Sequence, residues 1–165
     1  MAATHLIIVC GLQGTGKTTV ARTISEKLKA VTLRTDVIRK ELKISEYSEE
    51  AKQAVYNEMF SRVQNLLREN KNVVLDATFI RQKNRDQARQ IAREANADFQ
   101  IVLVVSSDQV VKQRIEERTG DESEAGFEQY LNSKGSFEPI IGSHIVIDNS
   151  GSIEKTIEQL NEYLH

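Results

Sequence analysis

The stretch "GLQGTGKT", residues 11–18, spaces its glycines and lysine as G-x-x-x-x-G-K-[ST] between an apolar run and a helical pattern. Glycine tolerates positive φ and lets backbone N–H groups close around phosphate oxygens. A helix opening near Lys17 would add the positive end of its dipole to the same anion. The expected chemistry is nucleotide phosphate binding by Gly11, Gln13, Gly14, Thr15, Gly16, Lys17, Thr18 and Thr19. Lys17 is expected to reach the β- and γ-phosphates of ATP, and the Thr18 hydroxyl to ligate Mg2+.

Five further residues could act on a bound nucleotide or its acceptor. In "LRTDVIRKEL", Asp36 is placed to accept a hydroxyl proton and Arg39 to grip an anionic part of an acceptor with its planar fork. Asp36 also fits an N-cap for the helix that follows, and both readings stand. Asp76 closes "VVLDATF" and is read as a site residue that binds Mg2+ through water, holds the acceptor or steadies the loop. Thr78 fits a cap of the next helix equally well. Arg114 and Arg118 lie four apart ahead of a polar, Gly-containing turn, which reads as a lid over roughly 112–126 that closes on ATP. Its arginines would stabilise the transferring phosphoryl, and the alternative is a solvated helix paired with Glu116 and Glu117.

These residues need a scaffold. Short β-branched runs recur at 6–10, 31–34, 72–77, 99–105 and 144–149, too short for helices and unbroken enough to be covered on both faces. Helical patterns lie between them, at 17–29, 48–70, 84–96, 107–119, 123–134 and 152–164. The 48–70 helix would turn Ala51, Ala54, Val55, Met59, Val63, Leu66 and Leu67 to the core. Such alternation predicts an α/β fold, a parallel sheet with helices on both faces and ligands at the carboxyl ends of the strands. At 165 residues one domain is expected over the whole chain.

Composition narrows the class. Net charge is −2, which argues against a strongly basic nucleic-acid binder. The single cysteine, Cys10, allows no disulfide within the chain and reads as a small buried hydrophobe. No apolar run approaches a membrane span, and the opening residues lack a secretory signal, so no membrane partner and a cytoplasmic location are expected. A GTPase should carry N-K-x-D, which is absent, and motor ATPases usually carry extra helical domains. What remains is a small kinase, with a nucleotide-gated binding module or slow ATPase as the alternative.

Together "GLQGTGKT", "TDVIRKEL", "VVLDATF", the 114/118 arginine pair and "SFEPI" resemble P-loop kinases of the AAA_33 or zeta-toxin-like type. That group is similar to polynucleotide 5′-hydroxyl kinases, chloramphenicol phosphotransferases and gluconate kinases. The resemblance implies a three-layer P-loop NTPase fold with a five-stranded sheet in the order 2-3-1-4-5. It also implies that Asp36 is the general base, that Arg39 holds the acceptor's phosphate, and that Asp76 lies near the acceptor. Arg81, Arg85, Arg89 and Arg93 follow at strict i+4 spacing. They read either as a solvated helix face or as contacts to a nucleic-acid acceptor, with Arg85, nearest the site, as the substrate-binding candidate.

Overall fold

The computed structural model describes residues 3–119 and 123–164, with side chains left aside at 119 and 123–125. The part of the expected lid at 120–122 lies outside the described residues. Five strands, β1 (His5–Cys10), β2 (Val31–Arg34), β3 (Val73–Asp76), β4 (Asp98–Val105) and β5 (Ile145–Asp148), form one all-parallel sheet ordered β2-β3-β1-β4-β5. Among the described residues seven helices flank them: α1 (Lys17–Leu28), α2 (Thr35–Glu41), α3 (Glu49–Arg68), α4 (Gln82–Glu94), α5 (Asp108–Thr119), α6 (Ser123–Ser136) and, after the last strand, α7 (Ile153–Tyr163).

The two faces of the sheet follow from the period of β1. Leu6, Ile8 and Cys10 pack with Val55, Met59, Val63, Ala88 and Ile91, which puts α3 and α4 on one face. Ile7 and Val9 pack with Val20, Ala21, Ile24 and Leu160, which puts α1 and α7 on the other. Each aliphatic side chain buried this way stabilises the fold by about 1.5–3 kcal/mol. Coverage is complete for central β1 and β3, whereas β2 is half-buried and edge strand β5 leaves Val146 exposed.

Three local expectations change. The buried row of α3 takes in Tyr56 and Phe60 while Ala54 is exposed and Leu66 half-buried, because Tyr56 packs edge-on to Phe79 in the loop after β3 and Phe60 packs beside Tyr56. Helix α2 begins at Thr35 with Arg34 at its N-cap, so Asp36 lies inside the first turn and does not cap. Thr78 does not cap α4 either. Arg81 holds that position, and the Gln82 N–H donates to Glu138 Oε2 at 2.8 Å. Ser48 and Ser152 do cap α3 and α7, accepting from Ala51 and Lys155.

Helices α5 and α6 pack on each other through Val111, Ile115 and Tyr130, with Leu12 of the glycine loop against them. Asp108 ties the pair, accepting from Tyr130 Oη and Lys134 Nζ, both at 2.8 Å.

Candidate active site

The glycine loop is shaped from outside. Gly11 has φ 143, and a Cβ there would sit 2.4 Å from the Val104 carbonyl, so the chain passes β4 only without a side chain. Gly16, with φ 90, is the N-cap of α1, and a Cβ there would meet Asn149 Nδ2 at 2.0 Å. The Thr15 carbonyl accepts from Ser106 Oγ (3.1 Å) and Asn149 Nδ2 (2.9 Å), and the Gly14 carbonyl accepts from Arg114 Nη1 (3.2 Å). A trans peptide points its C=O and N–H in opposite directions. Holding the Thr15 carbonyl from outside therefore turns the Gly16 N–H into the loop.

Not every residue of the motif faces the nucleotide site. The cleft over the loop, about 400 Å³, is lined by Gln13, Gly14, Gly16, Lys17, Thr18 and Thr19. Thr15 is buried with its hydroxyl donating to Leu12 O at 2.7 Å, and the Gly11 N–H donates to Thr78 O at 3.2 Å. Both build the loop's shape instead of presenting those groups to phosphate. Lys17 lies in the cleft with its ammonium on Leu12 O at 3.1 Å. Burial lowers its pKa, and Asp76 and Asp36 act against that shift.

The ends of β2 and β3 complete the cleft. Thr18 donates to Asp76 Oδ2 at 3.0 Å, which joins α1 to the end of β3. Asp36 and Arg39 reach the cleft from α2, where Arg39 donates to Glu46 O at 2.7 Å and lies 4.4 Å from the Tyr47 ring centre. The remaining wall is mixed, with polar Lys52, Tyr56, Thr78 and, from α6, Gln129 and Ser133 set beside Val55, Ala77 and Ile80. Thr18 and Asp76 offer two hard oxygen donors beside the phosphate loop, a pair suited to Mg2+ with several waters retained. Among the described residues, no three His, Cys, Asp or Glu side chains gather into a metal cluster.

The two arginines of the expected lid separate. Arg114 donates to Gly14 O, to Ser106 Oγ at 3.0 Å and to Asn149 O at 2.5 Å, so it braces the loop from behind and does not line the cleft. Arg118 lines it.

Arg85 is corrected. Its side chain is fully buried, and its donors go to Phe79 O, Gln82 Oε1, Pro139 O, Ile80 O and Glu138 O at 2.7–3.2 Å. The Phe137 ring lies 4.7 Å from the guanidinium carbon. Arg85 thus clasps the loop after β3 to "SFEPI" and has no donor left to offer a substrate. The clasp steadies Phe79, whose positive φ of 48° is uncommon for a bulky residue and whose N–H donates to Tyr56 Oη at 2.9 Å. The i+4 arginine series is also not one solvated face, since Arg89 is half-buried with its guanidinium 5.5 Å from the Phe99 ring centre.

Arg34, Tyr47, Lys52, Tyr56 and Asn149 were not singled out as site residues by sequence reasoning. Arg34 carried the one available signal, since it ends a strand whose carboxyl end was expected at the site. Asn149 holds Thr15 from 134 residues away, a separation that no local pattern encodes.

A parallel sheet in this order, with a glycine loop after its central strand and acidic residues at the end of β3 and just after β2, defines a P-loop kinase fold. The match to known proteins agrees. The chain belongs to the AAA_33 family, described as an AAA domain, which matches residues 6–140. Uncharacterised proteins of Mycobacterium bovis and Mycobacterium tuberculosis are 29% identical to it over 137 residues, or 75% of this chain. That stretch is only 28% of the length of those relatives.

Among solved structures, a sugar kinase from Janibacter superposes with TM-score 0.77 at 18% identity, covering 98% of this chain and 94% of the other. A gluconokinase from Sinorhizobium meliloti gives 0.71 at 18% identity over the same shares. The APS kinase of M. tuberculosis, solved with AMPPNP and APS, gives 0.74 at 22% identity over 98% of both chains. Among the described residues, no helix is long and apolar enough to cross a membrane.

Proposed function

We propose that this chain transfers the γ-phosphoryl of ATP to the hydroxyl of a polar acceptor. The observation that carries the reading is the convergence on one cleft of the phosphate loop, Lys17, and the Asp36–Arg39 turn of α2. Under it, Lys17 and the loop amides hold the β- and γ-phosphates, and the Lys17 charge, disfavoured by burial, is met by the incoming anion. Asp36 takes the acceptor's proton, Arg39 and Tyr47 hold the acceptor, and Arg118 faces the phosphoryl from the lid. Mg2+ held by Thr18 and, through water, by Asp76 would neutralise charge on the phosphates.

The acceptor wall supports a hydrophilic substrate. Lys52, Thr78, Gln129 and Ser133 offer hydroxyl, amide and ammonium groups, set beside the apolar Val55, Ala77 and Ile80. Sugar and gluconate kinases of this fold act on acceptors of that character, which favours a sugar-like alcohol over a polynucleotide. A cytoplasmic location accompanies this reading, since its donor is ATP.

The test is transfer from γ-labelled ATP to a panel of sugars, sugar acids, nucleosides and 5′-hydroxyl oligonucleotides. Asp36→Asn should lower turnover with the accepted substrate by ~10²–10⁴ while ATP affinity stays unchanged. Unchanged turnover in the mutant would remove Asp36 as base. Hydrolysis alone, indifferent to every acceptor, would favour the nucleotide-gated module.

A further inference from the structure

The end of β2 holds a cation against the very oxygens assigned to the metal. In the sheet, Arg34 is the direct partner of Asp76 in the parallel register between β2 and β3, so backbone pairing brings the two together. Arg34 Nε lies 3.3 Å from Asp76 Oδ2, and Arg34 Nη2 donates to Thr18 Oγ1 at 3.3 Å. The Thr18 hydroxyl donates to that same Oδ2 at 3.0 Å. One carboxylate oxygen and one hydroxyl are thus shared by a guanidinium, and they are the pair that fits Mg2+.

We infer that Arg34 is a displaceable counter-ion of the metal site, competing with the dication for Thr18 and Asp76. The inference rests on the kinase reading above, which places the metal on those two residues.

The charges decide which group yields. Asp76 is buried, 5% exposed, and already lies in the field of Lys17 as well as Arg34. A dication added beside both would put four positive charges around one carboxylate, and like charges a few ångströms apart repel strongly where water is scarce. Lys17 is half-buried and held at Leu12 O, on the path of the phosphates. Arg34 is 38% exposed at its side chain and lines the open cleft, so it has room to leave.

Its way out is toward the acceptor side. Arg34 is the N-cap residue of α2, two positions before Asp36, and both line the same cleft. Displaced from Asp76, the guanidinium therefore turns its charge to the space between Asp36 and the phosphate loop, where an anionic phosphoryl would meet it. Arg34 thus makes nucleotide binding less dependent on metal and becomes available to the transferring group when metal is present.

The test needs no acceptor. Binding of a fluorescent ATP analogue is measured with Mg2+ and with EDTA, and Mn2+ is titrated into the protein–nucleotide complex and followed by electron paramagnetic resonance. Arg34→Gln should bind Mn2+ about 5-fold or more tightly than wild type, the size of a direct coupling between two sites. In EDTA the same variant should lose nucleotide affinity that wild type keeps. Arg34→Lys, which retains the charge, should fall between them and guards against a folding defect in the glutamine variant.

Equal or weaker Mn2+ binding by Arg34→Gln would overturn the competition. Mn2+ binding untouched by Asp76→Asn would overturn it as well, since the metal would then lie elsewhere. Failure of wild type to bind any nucleotide would instead overturn the kinase reading, and the inference with it.

Discussion

Replacing Arg85 separates a structural clasp from a substrate contact. Arg85→Met keeps most of the side chain's volume and removes a guanidinium that satisfies four backbone carbonyls and one amide oxygen. The side chain is fully buried, so water does not readily replace those bonds. Leaving a buried acceptor unpaired costs about 1–3 kcal/mol, and breaking a buried charged network about 3–5 kcal/mol in total. For a chain of this size each kcal/mol shifts Tm by about 2–4 °C, so the expected loss is roughly 6–20 °C.

Arg85→Lys restores at most three donors and should recover only part of that loss. Thermal unfolding followed by circular dichroism, with and without ATP and Mg2+, measures both effects. At temperatures where the variant is folded, ATP affinity should match wild type, because all five Arg85 donors go to residues outside the 11–18 loop, which is braced instead by Arg114, Ser106 and Asn149. A Tm within about 2 °C of wild type, joined to a raised KM for the acceptor, would refute the clasp and return Arg85 to the substrate.

Two other outcomes test the loop and the core. Gly16→Ala forces a Cβ onto Asn149 Nδ2 at a backbone angle that costs an L-residue about 1–2 kcal/mol. It should weaken ATP binding about tenfold or more while the far-ultraviolet spectrum is kept, and equilibrium binding of a labelled nucleotide reads it directly. Burial pushes the Cys10 thiol from 9.0 up to about 12, so the folded chain holds its proton while the unfolded chain releases it near 9. That contribution to stability is intact below pH 9 and falls away as pH rises toward 12, at up to about 1.4 kcal/mol per unit. Urea unfolding between pH 8 and 10.5 should show Cys10→Ala losing less stability per pH unit than wild type, and parallel slopes would contradict the assignment.

How much of this was legible in the chain depends on distance along it. The glycine loop, the Asp36–Arg39 turn and the five strands are local patterns, whose backbone demands and hydrophobic periods are written in neighbouring residues. Hence β2 appears at 31–34 as expected, and the other strand ends fall within a residue or so of their expected places. Local pattern misled where two locally equivalent fates differ only in what lies opposite. Arg85 and Arg93 share a spacing, yet the carbonyls of Glu138 and Pro139 draw one inside and leave the other exposed. Arg114 and Arg118 share a helix face, yet Asn149 holds the first behind the loop.

The amino-acid sequence by itself determined where along the chain the phosphate-loop motif lies and in what class of fold, because those are properties of contiguous segments. Only the tertiary structure decided which cations line the cleft and which brace the frame. Sheet register sets Arg34 against Asp76, and crossover connections bring 106, 114 and 149 behind residues 14–15. Those partners meet only after the loops between them have closed, so their chemistry depends on packing that no single segment contains.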